Sequence, residues 1–231
     1  MKFKNMICGK PFSLVVSLPS NSLELANAAL EGGADAIKVH CNVWHRASGH
    51  TFGTYADNRE FIRQLIDLCG DVPVGLMPGT SEAFITEEEC RELEDMGLGF
   101  VSAYIHHLPC FMMESEKLTN AVAIDWTYSD STLDAVRDSD IGVLECSIVK
   151  GEAYGTDLTY ADVLQYQQIV KKTGKPCVVP TQKKIRPGDV KHLYRAGCRA
   201  LMIGAVVTGQ EPDPEAFRET VRAFREAVDA L

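Results

Sequence analysis

The stretch GGADAIKVHCN, residues 32–42, carries two alternating sets of side chains. Ile37, Val39 and Cys41 fall on one side of an extended chain, and Ala36, Lys38 and His40 fall on the other. On a surface strand the second set would face water. If both sides are covered, a cation and an imidazole are buried together.

The surrounding sequence favours the covered strand. Short apolar runs at 12–18, 35–41, 73–78, 100–107, 121–127, 142–149, 177–183 and 200–205 alternate with longer segments of helical period. Helices are expected over 22–33, 58–70, 86–97, 160–174, 187–197 and 213–231, with weaker patterns around CFMMESEKL and STLDAVRDS. Glycine ends several of them just before a strand, at Gly33, Gly70, Gly97, Gly174 and Gly197. Thr86 with Glu89 fits a capping box, and Pro214 follows Asp213 at a helix start. Eight strands alternating with helices predict a closed parallel sheet, a (β/α)8 TIM barrel formed as one domain over 1–231. An open doubly wound sheet fits less well, because LPSNSLELA after the first strand has no phosphate-cradling glycines.

In such a barrel helices cover the outside and side chains fill the inside. The bulky apolar set then packs against helices, and Lys38 and His40 point inward. The same alternation sends Asp125 and Glu145 inward from the runs at 121–127 and 142–149. Cys177, Val179, Thr181 and Lys183 share a face, and the run at 100–107 offers Tyr104 with His106, or His107. Lys38, Glu145, Asp125 and His40 are the candidate catalytic residues. Buried charges require partners, so Lys38 and Glu145 form either a structural ion pair or an acid–base pair able to move a proton. A metal held by His40, Asp125 and Glu145 has no supporting spacing, so no metal and no cofactor is expected.

Active sites of this fold lie at the C-terminal mouth. The long connection NVWHRASGHTFGTYADN, residues 42–58, is expected to form a lid carrying Trp44, His45 and Arg46, with KGEAYGTDLT, residues 150–159, beside it. The last two strands end in VVPTQKKIRPGD and LMIGAVVTGQEPD. Many barrels bind phosphate there. The expected anion contacts are Gly204, Ala205 and Thr208 with Lys183 and Lys184.

The order GGADAIKVHCN, GDVPVGLMPG, CVVPTQKK, RAGCRALMIGAVVTG resembles the ribulose-phosphate-binding barrel superfamily, in outline the N-acetylmannosamine-6-phosphate 2-epimerases. The resemblance implies the barrel and a phosphate loop at Ile203–Thr208. It does not carry the catalysis over. Those epimerases place a lysine on the third strand and an acid, glycine and arginine on the seventh, where this chain has PVGLMPG and Pro180-Thr181-Gln182. Ribulose-phosphate 3-epimerases carry a metal-binding His-x-Asp on the second strand, which IKVHCN does not match.

The leading expectation is an isomerase or epimerase that transfers a proton next to the carbonyl of a phosphorylated sugar. The alternatives are a Schiff-base aldolase or lyase using Lys38, and a non-catalytic sugar-phosphate binder. A net charge of −9 with interspersed signs argues against a nucleic-acid partner. The eight cysteines form no C-x-x-C pair, and neither a signal peptide nor a membrane span is legible. The expectation is a cytoplasmic protein with reduced thiols, a phosphorylated small-molecule substrate, no membrane partner and room for a homodimer.

Overall fold

Eight parallel strands close into a barrel in the computed structural model, which describes residues 2–231. They are β1 (Ser13–Ser17), β2 (Ala36–His40), β3 (Val74–Met77), β4 (Phe100–Tyr104), β5 (Thr119–Ile124), β6 (Val143–Cys146), β7 (Cys177–Pro180) and β8 (Ala200–Ile203). Each pairs with its sequence neighbours, and β8 pairs back onto β1 through Ser13–Ala200 and Val16–Ile203. All eight strands lie within the runs read from the sequence or overlap them.

The helices are α1 (Lys2–Gly9), α2 (Leu23–Glu31), α3 (Tyr55–Cys69), α4 (Glu87–Met96), α5 (Asp130–Arg137), α6 (Tyr160–Thr173), α7 (Val190–Arg195), α8 (Ala205–Thr208) and α9 (Pro214–Asp229). The Thr86–Glu89 capping box closes in both directions, and Asp213 caps α9 ahead of Pro214. Gly97 and Gly174 take the left-handed conformation that ends a helix without a Cβ clash. The weak pattern at CFMMESEKL does not become an α-helix. It forms a single 3-10 turn, Cys110–Glu114, in which Met112 is buried and its carbonyl accepts from Asn120 Nδ2 at 2.7 Å. That side-chain bond takes a carbonyl a longer helix would need.

The barrel interior has two unlike halves. Its N-terminal half is solid: Val15, Ala36, Phe100, Ala121, Val178 and Ala200 pack together around Phe3 and Ile7 of α1. The ring of Phe3 stacks on Phe100 with centroids 3.7 Å apart. Phe100 fits because β3 contributes Gly75, where a Cβ would run into the ring. Sequence reading gave α1 no structural part; it is the plug that closes this end.

The C-terminal half is polar. Ser17, Lys38, His40, Ser102, Glu145 and Ser147 line it. Ser17 flanks Lys38 in the register, and Ala123 pairs with Glu145. These small neighbours leave the space that large apolar residues fill below.

Removing the plug's ring should uncouple the two halves. Phe3→Ala is expected to cost about 3–5 kcal/mol, read as a lowered midpoint in urea unfolding. An unchanged midpoint would show that α1 contributes little to closing the barrel.

Candidate active site

Lys38 and Glu145 face each other across the lumen from β2 and β6, on opposite sides of the closed sheet. Lys38 Nζ lies 3.5 Å from Glu145 Oε2, and both residues are buried, at 7% and 5% exposure. Two hydroxyls complete the carboxylate's partners. Ser102 Oγ donates to Oε2, and Ser147 Oγ donates to Oε1 at 2.9 Å. A buried carboxylate with three donors around it stays in place, whereas Lys38 has one long contact and further N–H donors for a ligand.

His40 completes the β2 face of the floor. It is 1% exposed, and its Nδ1 has no partner. Its ring lies 4.4 Å from that of His45 and 4.7 Å from that of Phe52. Burial holds the His40 imidazole well below its ordinary range, with repulsion from His45 and Lys38 adding to it. Burial likewise lowers His45 to about 4, with Lys38 next in effect. Both rings are therefore neutral at pH 7. His45 Nδ1 is fixed by Ser48 Oγ at 3.0 Å.

The expected lid is an ordered antiparallel hairpin, Val43–His45 paired with His50–Phe52. It straps the mouth to two neighbouring loops. His50 Nδ1 donates to the Pro19 carbonyl at 2.9 Å beyond β1, and Gln210 Nε2 donates to the Ala47 carbonyl at 3.2 Å beyond β8. Arg46 reaches a third loop, lying against Gly151 beyond β6. Together the floor, the hairpin and the β6–α6 loop enclose a cavity of about 430 Å3 whose rim carries Trp44 and Trp126, 57% and 49% exposed.

Gln182 ties the β6–α6 loop down. Its Oε1 accepts from Val149 N at 3.0 Å, and its Nε2 donates to the Ser147 carbonyl at 3.2 Å and to Tyr154 Oη at 2.6 Å. Gln182 and Tyr154 both line the cavity. Sequence reasoning met Gln182 only as a departure from the epimerase pattern. Gln182 is in phase with Val178 and Pro180, so giving that set to the lumen would have pointed it inward.

The other expected residues divide. Asp125 lines the cavity at the rim, outside the buried pair, with Oδ1 accepting from Thr127 N and Oγ1. Tyr104, His106 and His107 all line it, because β4 ends at Tyr104 and the chain turns. Gly204 and Ala205 line the β8 side, but Thr208 does not. The Gly204 amide already donates to Thr181 Oγ1 at 2.9 Å, and α8 is one turn, too short to focus a helix dipole. Lys183 and Lys184 do not reach the cavity. Lys183 falls on the outward face of Cys177 and Val179, so its Nζ points to Thr156 Oγ1 at 3.0 Å and Asp162 at 3.6 Å, and Lys184 is exposed. Val178 and Pro180 are the inward residues of β7, while Cys177 and Val179 pack against helices.

Among the described residues no group of three or more His, Cys, Asp or Glu side chains is placed to hold a metal ion, and no helix is long and apolar enough to cross a membrane. A larger, more open groove of about 1110 Å3 lies at the plugged end. Its buried carboxylate, Asp35, is already bound by Lys10, Arg225 and the Leu14 amide, so the groove lacks a reactive group to offer.

No protein-family model and no curated protein matches the sequence. Solved structures do. Thiamine phosphate pyrophosphorylase from Pyrococcus furiosus superimposes with a TM-score of 0.69 at 14% identity, over 99% of this chain and 98% of its own. Tryptophan synthase subunit alpha from Legionella pneumophila gives 0.70 at 14% identity, over 100% and 97%. KGPDC from Streptococcus mutans gives 0.67 at 13% identity, over 96% and 99%. At these identities the likeness establishes the (β/α)8 barrel. None of these three is an N-acetylmannosamine-6-phosphate 2-epimerase.

Two outcomes follow from the geometry. Gln182→Leu keeps the volume and removes the three side-chain bonds to the β6–α6 loop, so amide hydrogen exchange over residues 149–154 should speed up while β1–β5 are unaffected; unchanged exchange there would remove the Gln182 side chain as the tether. The neutral imidazoles set a pH dependence. Between about 6.5 and about 4 the unfolded chain takes up protons that His45 refuses in the fold, so this group's contribution makes stability fall as pH falls through that window, by up to about 1.4 kcal/mol per pH unit. His45→Gln should flatten the slope of unfolding free energy measured at pH 7, 6 and 5.

Proposed function

We propose that this protein is an isomerase or epimerase acting on a phosphorylated sugar, by proton transfer at a carbon next to a carbonyl. The observation that carries the reading is the buried Lys38–Glu145 pair, 3.5 Å apart on the floor of a cavity at the barrel's C-terminal mouth. A carbon acid needs a base within reach and a donor at the oxygen where charge develops. Glu145, oriented by Ser102 and Ser147, is the base that takes the proton. Lys38 donates a hydrogen bond to the enolate oxygen as it forms and returns a proton to the carbon in the second half of the reaction, after which the proton on Glu145 passes to the Lys38 amine 3.5 Å away and restores the pair. The neutral His40 and His45 add no competing charge beside Lys38. Closure by the hairpin excludes water, which strengthens each of these interactions. Asp125, on the rim, meets the sugar hydroxyls.

The phosphate reading has support on the β8 side, where Gly204 and Ala205 line the cavity. The amides of Ala205 and Val206 open the α8 turn and have no acceptor within it. A phosphoryl group there and a carbonyl over Lys38 set the sugar across the lumen.

A second reading has its own observation. Lys38 Nζ faces the cavity with one long contact, the exposure a Schiff-base nucleophile needs. In that case the enzyme is an aldolase or lyase.

Wild-type protein in deuterium oxide should wash deuterium into one carbon-bound position of a sugar phosphate from a mixed panel, read by mass spectrometry. Lys38→Met and Glu145→Gln should each lower that exchange by about 100-fold or more. Exchange unchanged in Lys38→Met, with only a lowered melting temperature, would leave the pair a structural one. Covalent trapping of the panel on Lys38 by borohydride, with cleavage products, would decide for the aldolase or lyase.

A further inference from the structure

The two lysines expected to receive the substrate's anion point away from the mouth, so the cavity's positive charge has to be located again. Lys38 is paired with Glu145. The other cationic side chain lining the cavity is Arg46, at the turn of the hairpin. Among the described residues no carboxylate lies within ion-pairing distance of it, although most arginines of this acidic chain are paired. An unpaired guanidinium over a cavity offers a planar set of donors suited to a phosphate or carboxylate.

Its position is built on both sides. The hairpin turn is tied beyond β8 by Gln210 bonding Ala47, and the strand after it is tied beyond β1 by His50 bonding Pro19. The guanidinium itself crosses to the β6–α6 loop. A Cβ at Gly151 would come within 2.8 Å of Arg46 Nη1 and 3.0 Å of Cζ, so glycine is what lets the group lie flat there. An arginine reaching from the β8 side to the β6 loop covers the mouth over β7, where Thr181, Gln182, Gly204 and Ala205 line the wall below.

We infer that Arg46 is the side chain that recognises the ligand's anionic group, a compact dianion of the phosphate monoester class, clamping it against the β6–β8 wall of the cavity. This rests on the reading of the ligand as a sugar phosphate. It replaces Lys183 and Lys184 as the charge an anion meets. Held on a hairpin, Arg46 also couples anion binding to closure of the mouth, since the bound group links the strap to the wall beneath it. A guanidinium that forms two parallel bonds to the anion is selective for geometry as well as charge, and a lysine in its place keeps only the charge.

Both tryptophans of the chain, Trp44 and Trp126, sit at this mouth, so intrinsic fluorescence reports its occupancy. The experiment titrates wild-type protein with inorganic phosphate, ribose 5-phosphate and ribose at low and high salt. It repeats the titrations with Arg46→Gln, Arg46→Lys, Gly151→Val and Lys183→Gln, each checked for an unchanged melting temperature. Phosphate and ribose 5-phosphate, but not ribose, should bind wild type, more weakly as salt rises. Arg46→Gln should weaken both at least tenfold, and Arg46→Lys should recover part of the loss. Gly151→Val should weaken them without touching the arginine, because the added side chain displaces the guanidinium. Lys183→Gln should bind as wild type does. Unchanged affinity in Arg46→Gln, loss in Lys183→Gln instead, or no anion binding to wild type overturns the assignment. Failure of the proton-transfer reading looks different: deuterium exchange is absent from the whole panel while anion binding still depends on Arg46.

Discussion

An ammonium and a carboxylate held inside a closed sheet set the terms for the rest of this molecule. Each ion loses several kcal/mol of hydration on burial, and the attraction between the two offsets that only when the remaining lone pairs and protons are also satisfied. Glu145 meets the condition through Ser102 and Ser147, which come from β4 and from the end of β6. The small residues beside the pair, Ser17 and Ala123, keep the lumen open at this level. One barrel therefore holds a packed core at one end and a polar chamber at the other. Phe3 and Phe100 make the first possible by filling the N-terminal half from both the helix and the strand side.

The electrostatics of the mouth follow from the same burial. His40 and His45 lie close to each other and to Lys38, and desolvation keeps both uncharged. The permanent cations are then Lys38 on the floor and Arg46 overhead, and the carboxylates are Glu145 on the floor and Asp125 on the rim. Charge is thus separated by height: a balanced pair below, and above it a cation on the hairpin and an anion on the rim, both lining the cavity a polar ligand would enter. The hairpin is the element that brings Arg46 there, and its anchors lie on loops of β1, β6 and β8, so its position depends on the closed barrel and not on its own two short strands.

Much of this was legible before any coordinates. The strand alternation in residues 35–41, 121–127 and 142–149, combined with the premise of two covered faces, placed Lys38, His40 and Glu145 inside, because a period of two leaves one choice once the bulky set is given to the helices. The helix ends at Gly97 and Gly174 and the cap at Thr86 were readable for a similar reason: each depends on residues within one turn. Past β7 the same method failed. Cys177, Val178, Val179 and Pro180 are all apolar, so the pattern does not say which set faces the lumen; the structure turns Val178 and Pro180 inward, so Gln182 goes in and Lys183 meets Asp162 on the outside. The plug also escaped it, since an N-terminal amphipathic helix does not reveal from its own pattern which surface it covers.

The sequence by itself determined the barrel, the polar floor and the loops that roof it, because these rest on periodicity and on signals between near neighbours in the chain. Only the tertiary structure decided which groups meet. That Glu145 faces Lys38 across the lumen, that Ser102 and Ser147 hold it, that Gln182 ties down the β6–α6 loop, and that Arg46 rests on Gly151 are contacts between residues far apart in sequence. Their pairing is fixed by closure of the sheet and by where each strand ends, and neither is encoded in any local stretch.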